Sequence, residues 1–277
     1  MSFIRIERLT HTYAPRESAP IQALNGIDLE IDAGEYVAII GANGSGKTTL
    51  ARHLNALLYP TTGDVWIDGR NTCDLSAVRA IRAQVGMVFQ SPADQIVATV
   101  VQEDVAFGPE NLGVREEELP ARVRAALQQV SMWGSRHRPP HLLSSGEQQR
   151  VAIAGVLAMN PRCLVLDEAT AMLDPIGRRD VLQIVDGLHR AGLTILTITH
   201  NMEEALRAQR VIVLHAGRIA LDGPSGHVFS SPALALYGLA LPPAIELAHR
   251  LREHFPSLPD RLFTADALAD AIAEVVA

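Results

Sequence analysis

One stretch restricts this chain more than any other: Gly41-Ala42-Asn43-Gly44-Ser45-Gly46-Lys47-Thr48, set between the apolar run Tyr36-Val37-Ala38-Ile39-Ile40 and Thr49-Leu50-Ala51. That order reads as strand, glycine-rich turn and helix start. Glycines let backbone N–H groups curl around anionic oxygens, Lys47 adds a point charge, and the Thr48 hydroxyl can ligate Mg²⁺. Phosphate binding uses these residue types at this spacing. A flexible turn is the bland alternative, and the flanking strand and helix argue against it. The stretch reads as a P-loop.

Other segments carry complementary chemistry. Cys163-Leu164-Val165-Leu166-Asp167-Glu168 is a buried, parallel-type strand ending in two acids. Asp167 can hold Mg²⁺ through water, and Glu168 can polarise an attacking water, which makes the chain an NTPase. The strand Thr194 to Thr199 delivers His200 to the same edge, where an open α/β sheet binds ligands; a satisfied structural histidine is the competing reading. Ser144 is a good N-cap for a helix over Val151 to Met159, and Glu147 completes a capping box, leaving a helix end that can bind an anion. Gln90 closes the strand Val85 to Phe89, and its amide can ligate Mg²⁺ or position water. Tyr13 falls in a turn-rich loop between the alternating strands Phe3 to Leu9 and Ile27 to Ile31, where an exposed ring can stack on adenine or be an ordinary loop tyrosine.

The remaining pattern fills in the core. A helix from Lys47 to about Leu57 follows the P-loop, then a short strand at Gly63 to Gly69. A helix from Val101 stops near Pro109, and Pro120 opens another, with Leu119, Val123, Ala126, Leu127 and Val130 as its apolar stripe. These helices read as a subdomain inserted between two halves of a nucleotide-binding core. Leu173-Asp174-Pro175 turns into a helix over Ile176 to Arg190, and Arg210 to Asp222 reads as a hairpin turning at Ala216-Gly217. With 277 residues and 48% hydrophobic content the chain can bury a large core, and its net charge of −7 argues against nucleic acid as a partner. Cys73 and Cys163 show no metal or disulfide spacing. No apolar run approaches the ~18 residues of a membrane span and the first residues show no signal layout, so a cytoplasmic chain is expected.

Taken together, Tyr13, Gly41 to Thr48, Gln90, Leu143 to Glu147, Asp167 with Glu168, Asp174 and His200 resemble, in order, the adenine-stacking loop, Walker A, Q-loop, signature, Walker B, D-loop and switch histidine of the ATP-binding cassette ATPases. The likeness spans about residues 1–230. The stretch Phe89 to Thr99, then Glu103 to Asn111, Ala169 to Pro175 and the tail from Gly238, are similar to the energy-coupling factor importers of cobalt, nickel and vitamins. The resemblance implies an α/β P-loop NTPase (RecA-like) core with an antiparallel β subdomain, an inserted α-helical subdomain over about 91–160, and a helical C-terminal extension over 231–277 that pairs cassettes. It implies ATP held by Tyr13, Gly41, Asn43, Gly44, Ser45, Gly46, Lys47, Thr48 and Thr49. The opposite subunit's nucleotide would be met in trans by Ser144, Ser145, Gly146 and Glu147. Mg²⁺ would sit on Thr48, Gln90 and Asp167, with Glu168, His200, Lys47 and Gln90 catalytic.

Its implied partners are a second cassette, identical or paralogous, a transmembrane scaffold and a substrate-binding membrane subunit, on the cytoplasmic face of the membrane and without direct solute contact. The alternatives are the ATPase of another importer or an exporter, a soluble non-transport cassette, and a module that binds nucleotide without hydrolysis. Three finer expectations follow. Asp94, Glu103 and Asp104 pair with scaffold arginines. The stripes Ile245, Ala248, Leu251, Phe255 and, after Thr264, Leu268, Ile272 and Val275 form two amphipathic helices. Ser145, standing where the family usually has glycine, crowds the γ-phosphate or is strained if its φ is positive.

Overall fold

The computed structural model describes residues 2–14, 19–252, 254–255, 257–259 and 265–276. In chain order its elements are β1 (Ile4–Tyr13), β2 (Ile21–Ile31), β3 (Tyr36–Ile40), α1 (Lys47–Leu54), β4 (Thr62–Ile67), β5 (Arg70–Asn71), α2 (Val78–Gln84) and β6 (Val85–Val88). There follow α3 (Val101–Asn111), α4 (Leu119–Gln129), α5 (Ser145–Ala158), β7 (Cys163–Asp167), α6 (Pro175–Arg190), β8 (Thr194–Ile198) and α7 (Met202–Ala205). The last are β9 (Arg210–His215), β10 (Arg218–Pro224), α8 (Ser225–Phe229), α9 (Pro243–Arg252) and α10 (Ala265–Val276).

Two sheets carry the fold. An antiparallel sheet runs β2-β1-β4-β5, and a six-stranded sheet runs β10-β9-β3-β8-β7-β6, parallel except for the β9–β10 hairpin. Strand alternation explains how the second sheet is covered on both faces. Val37 and Ile39, with Val165, Leu196 and Ile198, join Ile4, Ile6, Leu9, Ile27 and Ile67 in the core between the two sheets. Tyr36, Ala38 and Ile40 face the other way, with Leu164 and Leu166, onto a cluster that takes in α5 and α6 through Ile153, Val181 and Val185. Each Val, Leu or Ile among them, removed fully from water, contributes about 1.5–3 kcal/mol. β8 lies between β3 and β7, and Ile198 aligns with both Ile39 and Asp167. That register brings the P-loop, the paired acids and the segment leading to His200 to one sheet edge.

Several boundaries differ from those expected, β2 for one beginning at Ile21 rather than Ile27. Tyr13 ends β1 rather than sitting in a loop, paired with Ile21 across the ladder. α1 stops at Leu54, capped by Asn55. α3 runs through Pro109 to Asn111, because a proline in the final turn forfeits one backbone bond while its buried ring packs inward. α5 begins at Ser145, six residues early, since Ser144 and Glu147 make the full capping box. The hairpin turns where expected, with Ala216 and Gly217 both at positive φ, as a type I′ turn requires.

In the tail, Leu234, Leu239 and Ile245 bury themselves in the main cluster, while Ala248, Leu258, Leu268 and Ala271 form a small one with Leu251 and Ile272 against it. Phe255 stays 38% exposed, so that stripe is incompletely covered. Thr264 and the side chain of Val275 lie outside the described residues. Among the described residues, no helix is long and apolar enough to cross a membrane.

Candidate nucleotide site

Gly46 caps α1 at φ +105, a left-handed conformation, and a Cβ there would sit 2.5 Å from the Ala23 carbonyl oxygen. Only glycine fits this approach, which leaves the amino end of α1 open to an anion. Beside it a cleft of about 330 Å³ is lined by Tyr13, Gln22, Asn43, Lys47, Thr48, Thr49 and Glu168, among others. Lys47 is 5% exposed, its Nζ donating to the carbonyls of Gly41 at 2.8 Å and Ala42 at 3.1 Å. Burial holds the Lys47 ammonium below its ordinary pKa, against the upward pull of Glu168 and Asp167.

Thr48 Oγ1 donates to Asp167 Oδ1 at 3.0 Å. Burial lifts the Asp167 carboxyl above its usual range; the Thr48 bond opposes this and Glu168 adds to it. A hydroxyl that lines the cleft and a buried carboxylate in contact with it are hard oxygen donors, the set that suits Mg²⁺. Glu168 follows β7 at φ +52, a left-handed backbone that costs a non-glycine residue of order 1 kcal/mol and collects at functional sites. Its Oε2 lies 3.5 Å from His200 Nδ1. His200 is itself mostly exposed.

Other expected residues stand apart. Gln90 is exposed two residues beyond β6 and does not line the cleft. Its neighbour Phe89 is tied down: the Phe89 N–H donates to Gln95 Oε1, and Gln149 of α5 donates to the Phe89 carbonyl. Ser144 caps α5, and Ser145, Gly146 and Glu147 form its first turn, close against α6: a Cβ on Gly146 would come 3.2 Å from the Gly177 Cα. Ser145 is exposed, in the first turn of α5 and outside the positive-φ set, so the expectation of backbone strain there is corrected. Asp174 caps α6 through Gly177. Asp104 is corrected as a docking charge: it is 8% exposed and its Oδ1 accepts from Val97 and Ala98 N–H groups at 2.7 and 3.0 Å. Asp94 and Glu103 remain exposed.

The sequence reading missed what supports Tyr13. Its hydroxyl lies 3.2 Å from Thr49 Oγ1, and its ring meets His11 edge-on at 4.6 Å; His11 in turn meets His53 at 4.8 Å. His53 is fully buried, and Nδ1–H donates to the Thr49 carbonyl at 2.7 Å. Burial, then the neighbouring His11, hold its pKa below the ordinary value, although the Thr49 bond pulls the other way. The unfolded chain therefore binds the proton first as pH falls, so stability declines from about pH 6.5 toward the folded pKa and levels off below it. Urea unfolding at pH 7.5 and 5.5 checks this: the loss on acidification shrinks in His53→Gln, and an unchanged loss excludes His53 as its source.

The ABC transporter family model matches residues 24–171. The chain is 50% identical over 279 residues to the energy-coupling factor transporter ATP-binding protein EcfA1 of Symbiobacterium thermophilum, covering 99% of this chain and 97% of that one. Among solved structures, cbiO1 from Clostridium perfringens, described as part of the ABC transporter complex cbiONQ, superposes with a TM-score of 0.76 at 32% identity, covering 92% of this chain and 96% of that one. The cassette MJ0796, as a dimer bound to ADP and Pi in a post-hydrolysis state, gives 0.72 at 31% identity over 80% of this chain and 98% of its own.

Proposed function

Because this chain belongs to the ABC transporter family, as an ATP-binding protein of the energy-coupling factor type, we propose that its cleft hydrolyses ATP with Mg²⁺ to drive uptake of a vitamin or transition-metal ion through membrane partner subunits. The observation that carries the reading is the convergence of Lys47, Thr48, Asp167 and Glu168 at one sheet edge, beside the open end of α1. Tyr13, in the wall of the same cleft, offers its exposed ring to adenine.

Thr48 and Asp167 would hold Mg²⁺, which supplies charge neutralisation at the phosphates. Lys47 leaves the Gly41 and Ala42 carbonyls for the γ-phosphoryl oxygens, keeping a cation where charge develops. Glu168, partly buried and adjoining the phosphate end, orients the attacking water and accepts its proton, with His200 beside it. Ser144, Ser145, Gly146 and Glu147 act in trans on a second cassette's nucleotide, which the capped and exposed start of α5 suits. Gln90 enters only as the cassette closes, its strand end held through Gln149.

A separate hollow of about 650 Å³ between the core and α3 has Leu75, Val97 and Phe107 exposed at its walls and Arg79 and Arg82 beside them. It supports docking of a scaffold helix, to which Asp94 and Glu103, exposed on neighbouring segments, would supply charge. Residues 1–230 would form the cassette, with 91–160 its helical part, and 231–277 would pair cassettes on the cytoplasmic face of the membrane. Purification of the tagged chain from detergent-solubilised membranes tests this. Two membrane proteins and a second cassette should copurify in fixed ratio; a chain that elutes alone from membranes in which it is abundant contradicts the reading.

A further inference from the structure

Behind the catalytic edge lies a carboxylate that faces neither solvent nor the cleft. Glu204, on α7, is 3% exposed. Its Oε1 accepts from Thr170 Oγ1 at 2.6 Å and its Oε2 from Thr199 Oγ1 at 3.0 Å. Its backbone N–H is held by Asn201 Oδ1 at 3.3 Å, within the cap of α7. Thr199 immediately precedes His200, and Thr170 lies two residues after Glu168. The third neighbour is Arg178 in the first turn of α6, its Nε 3.6 Å from Glu204 Oε1. That Nε is buried and makes no hydrogen bond.

We propose that Glu204 is a positioning residue for hydrolysis, tying the loop that carries His200 to the segment following Glu168 and, through Arg178, to the helix behind Asp174. The inference rests on the reading of Glu168 and His200 given above. The two threonines use separate carboxylate oxygens, so the two loops are held in one register rather than competing for one acceptor. Hydrogen bonds to a buried ion are strong, and this one ion has three partners from three elements. The Arg178 contact is open by roughly 0.6 Å relative to an ordinary 3.0 Å bond. A small shift of α6, whose cap Asp174 stands at the cassette surface, closes it. Movement at α6 thereby reaches His200 and Glu168 through a single side chain.

The test uses the complex that copurifies with the chain, and compares Thr170→Val, Thr199→Val, the double variant, Glu204→Gln and Glu168→Gln. Each threonine variant removes one hydroxyl at nearly constant volume. The expected result is a fall in kcat of about tenfold in either, with KM for ATP within about twofold, and a double variant little worse than the singles because they act as one unit. Glu204→Gln, which keeps the shape and loses the charge facing Arg178, should match them. Wild-type kcat in both threonine variants, with Glu168→Gln inactive, overturns the proposal and leaves the site reading intact. Normal turnover in Glu168→Gln defeats the site reading itself. A fall in kcat that disappears when rates are normalised to ATP-binding-competent protein, with a lowered Tm, makes Glu204 a fold staple and also overturns the proposal. If Glu204→Gln fails to fold, the threonine pair decides.

Discussion

Glu168→Gln in the assembled complex is expected to bind ATP as the wild type does and to release phosphate at least ~10²-fold more slowly, the span usually lost with a positioned general base. The substitution is close to isosteric at a side chain that is one-fifth exposed and lies beside His200. The left-handed backbone at Glu168 and its N–H bond to the Ile198 carbonyl are main-chain features that glutamine inherits. Only the proton-accepting charge is removed. Nucleotide binding by filtration and phosphate release on the same preparation measure the two effects separately. Wild-type turnover removes Glu168 from the chemistry; lost binding assigns it a ground-state role instead.

Lys47→Ala has the second large effect, and on the other parameter. ATP affinity should weaken by roughly 10–100-fold, the worth of charge-assisted bonds to phosphate. Lys47 is already buried beside the P-loop, and it exchanges its two carbonyl acceptors for phosphate oxygens when nucleotide arrives. The same bonds brace the empty loop, and their removal leaves two carbonyls without the ammonium. A modest fall in Tm without nucleotide should therefore accompany the affinity loss. Lys47→Arg, too long for the Gly41 contact, should not restore binding. Equal affinity for wild type and Lys47→Ala, read by calorimetry, contradicts the assignment.

Much of the site could be read from the chain because each part is a local pattern with a local cause. An apolar run ended by glycines or acids places Gly41 and Asp167 at strand ends, a run of Ile, Leu and Thr leads to His200 in the same way, and burial on both faces makes those strands parallel. What escaped is set by distance in sequence. Nothing local distinguishes Glu204 from Glu203, yet one is buried under Thr170 and Thr199 and the other is exposed. Asp104 looked like a free charge beside Asp94, and its role in holding Val97 and Ala98 depends on a loop fold that no periodicity encodes. His11 on β1 and His53 on α1 are 42 positions apart and meet only in the folded chain. Helix ends shifted where a capping box extended the helix, as at Ser144, or where a proline in the last turn was tolerated, as at Pro109.

The central claim is that ATP and its metal occupy the cleft of this chain, closed by a second cassette. Solving the Glu168→Gln complex with ATP and Mg²⁺ tests it most directly. Triphosphate density is expected along Gly41 to Thr48, with metal density within bonding distance of Thr48 and Asp167, adenine against Tyr13, and the partner cassette's signature over the γ-phosphate. Nucleotide bound away from Lys47, or a metal that contacts neither Thr48 nor Asp167, would contradict the claim.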